Sequence, residues 1–228
     1  MHQQILEQLL KDRAEKRAVA LATNLTTGKE ELLYPVRAPG STLAEQVNDA
    51  LREDKARTVE TLEGEVFINV YNPPLRLLIA GAVHIAQPLA RMAVLAGYDV
   101  TIIDPRRAFA TAERFPGVTL LTEWPDEGIA ALSPDARSAI VTLTHDPKLD
   151  DAALGIALNS DCFYIGCLGS KKTHAARLER LRLAGFDEAA IARIHGPVGL
   201  AIGAKSPAEI AISILAQITA ILRGVGAS

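Results

Sequence analysis

The stretch Leu75-Arg76-Leu77-Leu78-Ile79-Ala80-Gly81-Ala82-Val83-His84-Ile85-Ala86 decides the fold. An apolar run breaks at Gly81 and a helical pattern follows almost at once. A buried parallel strand hands over in this way to a helix whose N-terminus can hold a phosphate. A nucleotide-binding turn of that kind reads G-x-G-x-x-G, because its second glycine lets backbone approach a pyrophosphate. Here the turn reads G-A-V-H-I-A, with Val83 in place of the second glycine and Ala86 in place of the third. The chain is patterned as a dinucleotide binder with an altered fingerprint.

The alternation of strand and helix then repeats along the chain. Tyr98–Asp104 reads as a second buried strand ending in an acid, 23 residues after Gly81, close to the roughly 20-residue spacing at which such an acid reaches a ribose hydroxyl. Asp104 could equally cap the turn before Pro105. Arg106 and Arg107 come next, as phosphate partners or as a solvated basic pair. Val118–Leu121 and Ser138–Leu143 read as the third and fourth strands. The fourth ends in Thr144-His145-Asp146, where open α/β sheets place their ligands. Asp161–Gly166 reads as a fifth strand, and Gly169-Ser170-Lys171-Lys172 then opens a helix with a cap and two cations, a second anion site independent of Gly81. Between His195 and Pro207, the glycines and prolines (Pro197, Gly199 and Gly203 among them) exclude a regular helix and demand a shaped loop. Ser206-Pro207-Ala208-Glu209 opens the last apolar helix with a capping box.

The 228 residues are 49% hydrophobic and only 4% aromatic, so the core is Ala, Leu, Ile and Val, a mixture suited to parallel strands covered by helices. The expected architecture is α/β: a Rossmann-like parallel sheet with helices on both faces over residues 74–228, and a small α+β module over 1–73, divided at Asn72-Pro73-Pro74. The module reads as helix 3–16, a hairpin from strands 18–22 and 31–34, a helix 42–54 and a strand 65–71. It has no cluster of catalytic residue types, so a structural or dimerisation role is expected. A net charge of −3 offers no general attraction to nucleic acid. No apolar run is long enough for a bilayer span and no signal peptide is expected, so a cytoplasmic protein is the reading. Cys162 and Cys167 fall on one strand and its exit, which argues against a disulfide. No metal-ligand spacing is seen.

The order G-A-x-H-x-A, a strand ending D-P-R, T-H-D, G-x-x-G-S-[KR]-[KR] and H-x-P-x-G-x-x-I-G-A-[KR]-[ST]-P-x-E-I-A resembles the XdhC/CoxI family, accessory factors for xanthine dehydrogenase and related molybdenum hydroxylases. The resemblance runs from about Leu75 to Leu222, and residues 1–73 form a short divergent N-terminal region. It implies a chaperone that binds molybdenum cofactor, protects it during sulfuration by a cofactor sulfurase, and delivers it to an apo molybdenum hydroxylase. On that reading Gly81, Ala82, Val83, His84, Asp104, Arg106, Thr144, Asp146, Gly169, Ser170, Lys171, Lys172, Pro197, Gly199 and Gly203 line the cofactor site, with His84, His145 and His195 as hydrogen-bond donors or orienting groups. The alternative is an NAD(P)-dependent oxidoreductase acting on a small-molecule substrate, with Asp104 on the adenine ribose and His145 or His195 beside the nicotinamide. A homodimer through the last helix or the N-terminal module is a further expectation.

Overall fold

A computed structural model describes residues 2–36 and 39–225. The chain forms two compact units, Met1–Pro73 and Pro74–Ser228. In the first, α1 (Gln3–Ala14) precedes β1 (Val19–Asn24) and β2 (Glu30–Leu33), and α2 (Thr42–Glu53) precedes β3 (Arg57–Thr61) and β4 (Gly64–Tyr71). The strands form an antiparallel sheet in the order β2-β1-β4-β3. Ala20, Ala22, Val66 and Ile68 of its two inner strands pack against Val47, Ala50 and Leu51 of α2. Ser41 caps α2 by accepting from Ala44 N–H, as its residue type favours. β3 lies outside the sequence reading, because Arg57-Thr58-Val59-Glu60-Thr61 has one large apolar residue. Its charges are those of a sheet edge exposed to water.

The second unit runs β5 (Leu75–Ala80), α3 (Ala86–Leu95), β6 (Tyr98–Ile103), β7 (Thr119–Leu121), α4 (Pro125–Ala131), β8 (Ser138–Thr142), α5 (Pro147–Leu158), β9 (Tyr164–Cys167), α6 (Lys171–Leu183), α7 (Glu188–Ile191), β10 (Ile194–His195) and α8 (Pro207–Leu222). All six strands are parallel, in the order β10-β9-β8-β5-β6-β7. Two halves thus run outward from β5 and β8, the strand order of a Rossmann sheet, whose ligand crevice opens where the order reverses. Strands covered on both sides need apolar residues at successive positions, and β8 is buried along its whole length. Leu77, Ile79 and Val141 face α3 and α8, while Leu78, Ala80, Ile140 and Ile165 face the helices of the other layer.

Differences from the sequence reading have local causes. α3 begins at Ala86, after a turn at Val83–Ile85, rather than directly at Gly81. α4 is only seven residues long with Gly128 at its middle, too short to show a helical period; a Cβ there would lie 2.8 Å from Ile103 Cγ2, so the glycine lets the helix rest on β6. β9 starts at Tyr164, which leaves Cys162 before the strand. Both thiols are free and buried. Among the described residues no helix is long and apolar enough to cross a membrane, and no cluster of three or more metal-ligating side chains occurs.

Candidate functional site at the carboxyl edge

Because every strand of the second unit points the same way, the residues that follow each strand gather along one edge. Gly81 follows β5, Asp104 follows β6, Thr144 follows β8, Gly169 follows β9 and Gly196 follows β10. The topology therefore assembles the separate sequence motifs into one region, with Gly81 and Thr144 at the point where the strand order reverses.

Gly81 is demanded by packing. Its φ is +116°, and a Cβ there would lie 2.7 Å from Thr144 Cγ2 and 3.2 Å from the Thr144 nitrogen. The next amide, Ala82 N–H, donates to Asp104 Oδ2 at 2.8 Å. Arg106 closes the other side of that carboxylate, through Nε to Oδ1 at 2.9 Å, Nη2 to Oδ2 at 2.7 Å, and its own backbone N–H to Oδ1 at 2.9 Å. Burial works to raise the Asp104 pKa, but these hydrogen bonds outweigh it and hold the carboxyl below the usual carboxylate range. Asp104 is fully buried. It clamps the opening turn to the end of β6, the turn-holding role that its place before Pro105 also allows. Val83 is partly exposed and His84 exposed at the foot of α3, which has no side-chain cap. Arg106 also stacks over Phe109, 4.7 Å from the ring centroid, in the loop beyond β6.

The neighbouring wall comes from the end of β8. His145 is exposed and holds a left-handed φ of +63°, a conformation that L-residues adopt sparingly and that collects at functional sites. Asp146 caps α5 by accepting from Lys148 N–H. Thr144 is anchored below: its N–H and Oγ1 both donate to Asp150 Oδ1, at 3.2 and 2.6 Å. Asp150 is buried, and burial raises its pKa against the lowering influence of Thr144 and Arg177. Neither Asp150 nor Arg177 stands out in the sequence. No signal in the sequence marks the pair, because the two residues lie on different helices, 27 positions apart.

Beyond β9, Ser170 caps α6 by accepting from Thr173 N–H at 3.1 Å, and Lys171 and Lys172 are exposed in the first turn. Cys167, at the end of β9, lies 2.6 Å from Thr142 Oγ1, and burial pushes its thiol up to about 12. Burial raises Cys162 also. A thiolate is the reactive form of cysteine, and burial disfavours it at both residues.

His195 is half-buried and stacks on Tyr164, with ring centroids 4.9 Å apart. Burial lowers its pKa, favouring the neutral imidazole. The following loop is tied to the core: Val198 N–H donates to the Cys167 carbonyl, Gly199 N–H to Gln217 Oε1, and Leu200 N–H to the Ser213 carbonyl. Pro197 and Gly203 are exposed along it. Glu209 completes the capping box at Ser206. The edge thus presents imidazoles, helix N-termini and two lysines, a set able to orient a ligand carrying phosphate and polar ring edges. Elsewhere, a cavity of about 830 Å³ opens in the first unit over Ala22 and Val66, rimmed by Lys29, Ser41, Gln46 and Glu60.

Comparison with known proteins agrees with this fold. The chain is 34% identical over 178 residues to a probable xanthine dehydrogenase subunit of Bacillus subtilis, covering 75% of this chain and 52% of that protein. It is 30% identical over 151 residues to the molybdenum cofactor insertion chaperone PaoD of Escherichia coli, covering 66% and 41% respectively. The chain therefore spans about half the length of these curated relatives. In fold it is similar to a crystal structure of a xanthine dehydrogenase from Bacillus halodurans, with a TM-score of 0.68 at 23% identity over 97% of this chain and 64% of that one. The family described as the XdhC Rossmann domain matches residues 77–218, from within β5 to within α8. The chain belongs to the XdhC family, and its parallel sheet is that family's Rossmann domain.

Proposed function

We propose that this chain is an accessory factor that binds molybdenum cofactor at the carboxyl edge and passes it to a molybdenum hydroxylase of the xanthine dehydrogenase type. The observation that carries the reading is the convergence of the family's spaced motifs, Gly81, Thr144-His145-Asp146, Gly169-Ser170 and the loop after His195, on one edge of one sheet. The cofactor ends in a phosphate, and the α6 start has a helix N-terminus with two lysines to receive it. When bound, the cofactor would supply the molybdenum chemistry of the client enzyme. Here the protein's part is to grip and shelter it. Ser170, Lys171 and Lys172 hold the phosphate, His84 and His145 offer hydrogen bonds from the exposed rim, and the loop carrying Pro197, Gly199 and Gly203 closes the far side. Shelter during sulfuration and contact with a cofactor sulfurase belong to the same proposal. The partly open apolar face of α8 at Ile212, Leu215 and Ala216 is the surface we propose for pairing two copies.

Mixing purified protein with molybdenum cofactor and recovering it by gel filtration tests the reading. Co-elution is expected, along with faster activation of an apo molybdenum hydroxylase. The Lys171→Ala, Lys172→Ala double variant should retain the fold and lose most of the cofactor. Retention of reduced nicotinamide dinucleotide with no retention of the pterin would overturn the assignment.

A further inference from the structure

The starts of α5 and α6 hold a charge arrangement that packing alone leaves unexplained. Arg177, in the second turn of α6, is 2% exposed. Its Nη2 donates to the Leu168 carbonyl at 3.0 Å and lies 3.6 Å from Asp150 Oδ2. Arg177 Nε and Nη1, Asp150 Oδ2 and His174 Nδ1 are all buried without hydrogen-bond partners. Helical side chains lean toward the N-terminus of their helix, and this one returns beneath the turn that starts α6. A Cβ on Gly169 would sit 3.7 Å from Arg177 Nη1, so the unpartnered edge of the guanidinium is aimed at that turn.

Positive charge predominates there. A helix N-terminus carries partial positive charge and favours anions, yet Arg177 buries a full cation beside it and Lys171 and Lys172 add two more on the surface. Asp150 answers part of this through one long contact. Asp151, the next carboxylate on α5, is committed to Arg180 at 2.5 Å. His174 adds no compensating negative charge; burial and then Arg177 lower its pKa and keep the ring neutral. A buried cation is stable when its partners are complete, and here the missing partner is an anion.

We infer that the Gly169–Ser170 turn is an oxyanion subsite for a phosphate group, in which Arg177 is the interior cation while the first-turn amides, Lys171 and Lys172 are the outer donors. The assignment takes its place at the carboxyl edge from the cofactor role proposed above, and adds the buried residue on which the grip depends. The phosphate could belong to a monoester or to a diphosphate.

Thermal unfolding of the wild-type protein in inorganic phosphate, against chloride at equal ionic strength, reads the subsite directly, and backbone-amide NMR locates it. A phosphate-dependent rise in Tm is expected, with shifts centred on Ser170–Thr173. Ribose 5-phosphate and pyrophosphate, run in parallel, tell the two sources apart by which binds more tightly. Arg177→Gln should weaken phosphate binding roughly tenfold, as expected for loss of a charge-assisted contact. Should that variant not fold, Lys171→Ala, Lys172→Ala on the surface should still reduce the phosphate effect several-fold. Equal Tm values in phosphate and chloride, shifts centred on Gly81–Ala86, or a folded Arg177→Gln protein that binds as wild type would each overturn the subsite. Phosphate binding without retention of molybdenum cofactor would leave the subsite standing and remove the cofactor role; cofactor retention without a phosphate response would do the reverse.

Discussion

The second unit starts two helices from glycine turns at the same edge of one sheet, and the turns have opposite designs. At Gly81 the groups are used up internally: the glycine makes room for Thr144, Ala82 N–H is given to Asp104, and Asp104 is closed by Arg106. At Gly169 the groups are left over. A capped helix, two exposed lysines and a buried arginine with unpartnered N–H groups surround a single incompletely paired aspartate. The turn that looks most like a nucleotide fingerprint thus has its amide and its acid engaged internally, while the turn without that fingerprint keeps more groups free for an anion. A fingerprint glycine reports close approach of something to the backbone, and at Gly81 that something is the protein itself.

Substitution can break this comparison. Gly81→Ala meets both a positive φ and the Thr144 side chain, and is expected to destabilise by about 3 kcal/mol in urea unfolding. Gly169→Ala also has a positive φ, but its Cβ would come no nearer than 3.3 Å to Thr173. Its cost should be smaller, roughly 1–2 kcal/mol. Equal costs at the two positions would remove the distinction between a packed turn and an open one.

The two buried aspartates of this edge sharpen it through pH. Asp104 has a lowered pKa in the folded state. Its contribution is present above the unfolded value of about 3.9 and lost as pH falls through the folded one. Asp150 has a raised pKa, so its contribution is present below about pH 3.9 and lost as pH rises through its folded value. Asp104→Asn should cost about 2 kcal/mol at neutral pH and flatten the acid limb of the stability profile. Asp150→Asn should make stability climb more steeply just above pH 4. The same slope change in both variants would contradict the assigned environments. The smallest effect expected is at the cap: Ser170→Ala should lower stability by about 1 kcal/mol in denaturant unfolding.

Much of this fold could be read in the sequence, because much of it is local. The strand run at Leu75–Ala80, the cap at Ser170 and the capping box from Ser206 to Glu209 each depend on residues within a few positions of one another. What escaped depends on partners distant in the chain or on short elements. β3 is a charged edge, α4 is a short helix with a glycine fitted to Ile103, and β10 is two residues long. Of the site, the motif positions were legible because parallel topology carries strand ends to one edge. Their division of labour was not. Asp104 sits at the spacing of a ribose acid, and its contact with Ala82 N–H, made across 22 positions, appears only in the fold. Arg177 and Asp150 lie on different helices, and nothing in the spacing announces a buried pair.

Gln217 of α8 accepts hydrogen bonds through one oxygen from the Tyr164 hydroxyl at 2.6 Å and the Gly199 N–H at 2.9 Å. That single carbonyl joins a strand, a helix and the glycine–proline loop into one cooperative unit. The amides of Val198 to Leu200 should therefore exchange with solvent on the timescale of core opening rather than that of a surface loop. Any ligand that moves the loop must also work against the last helix.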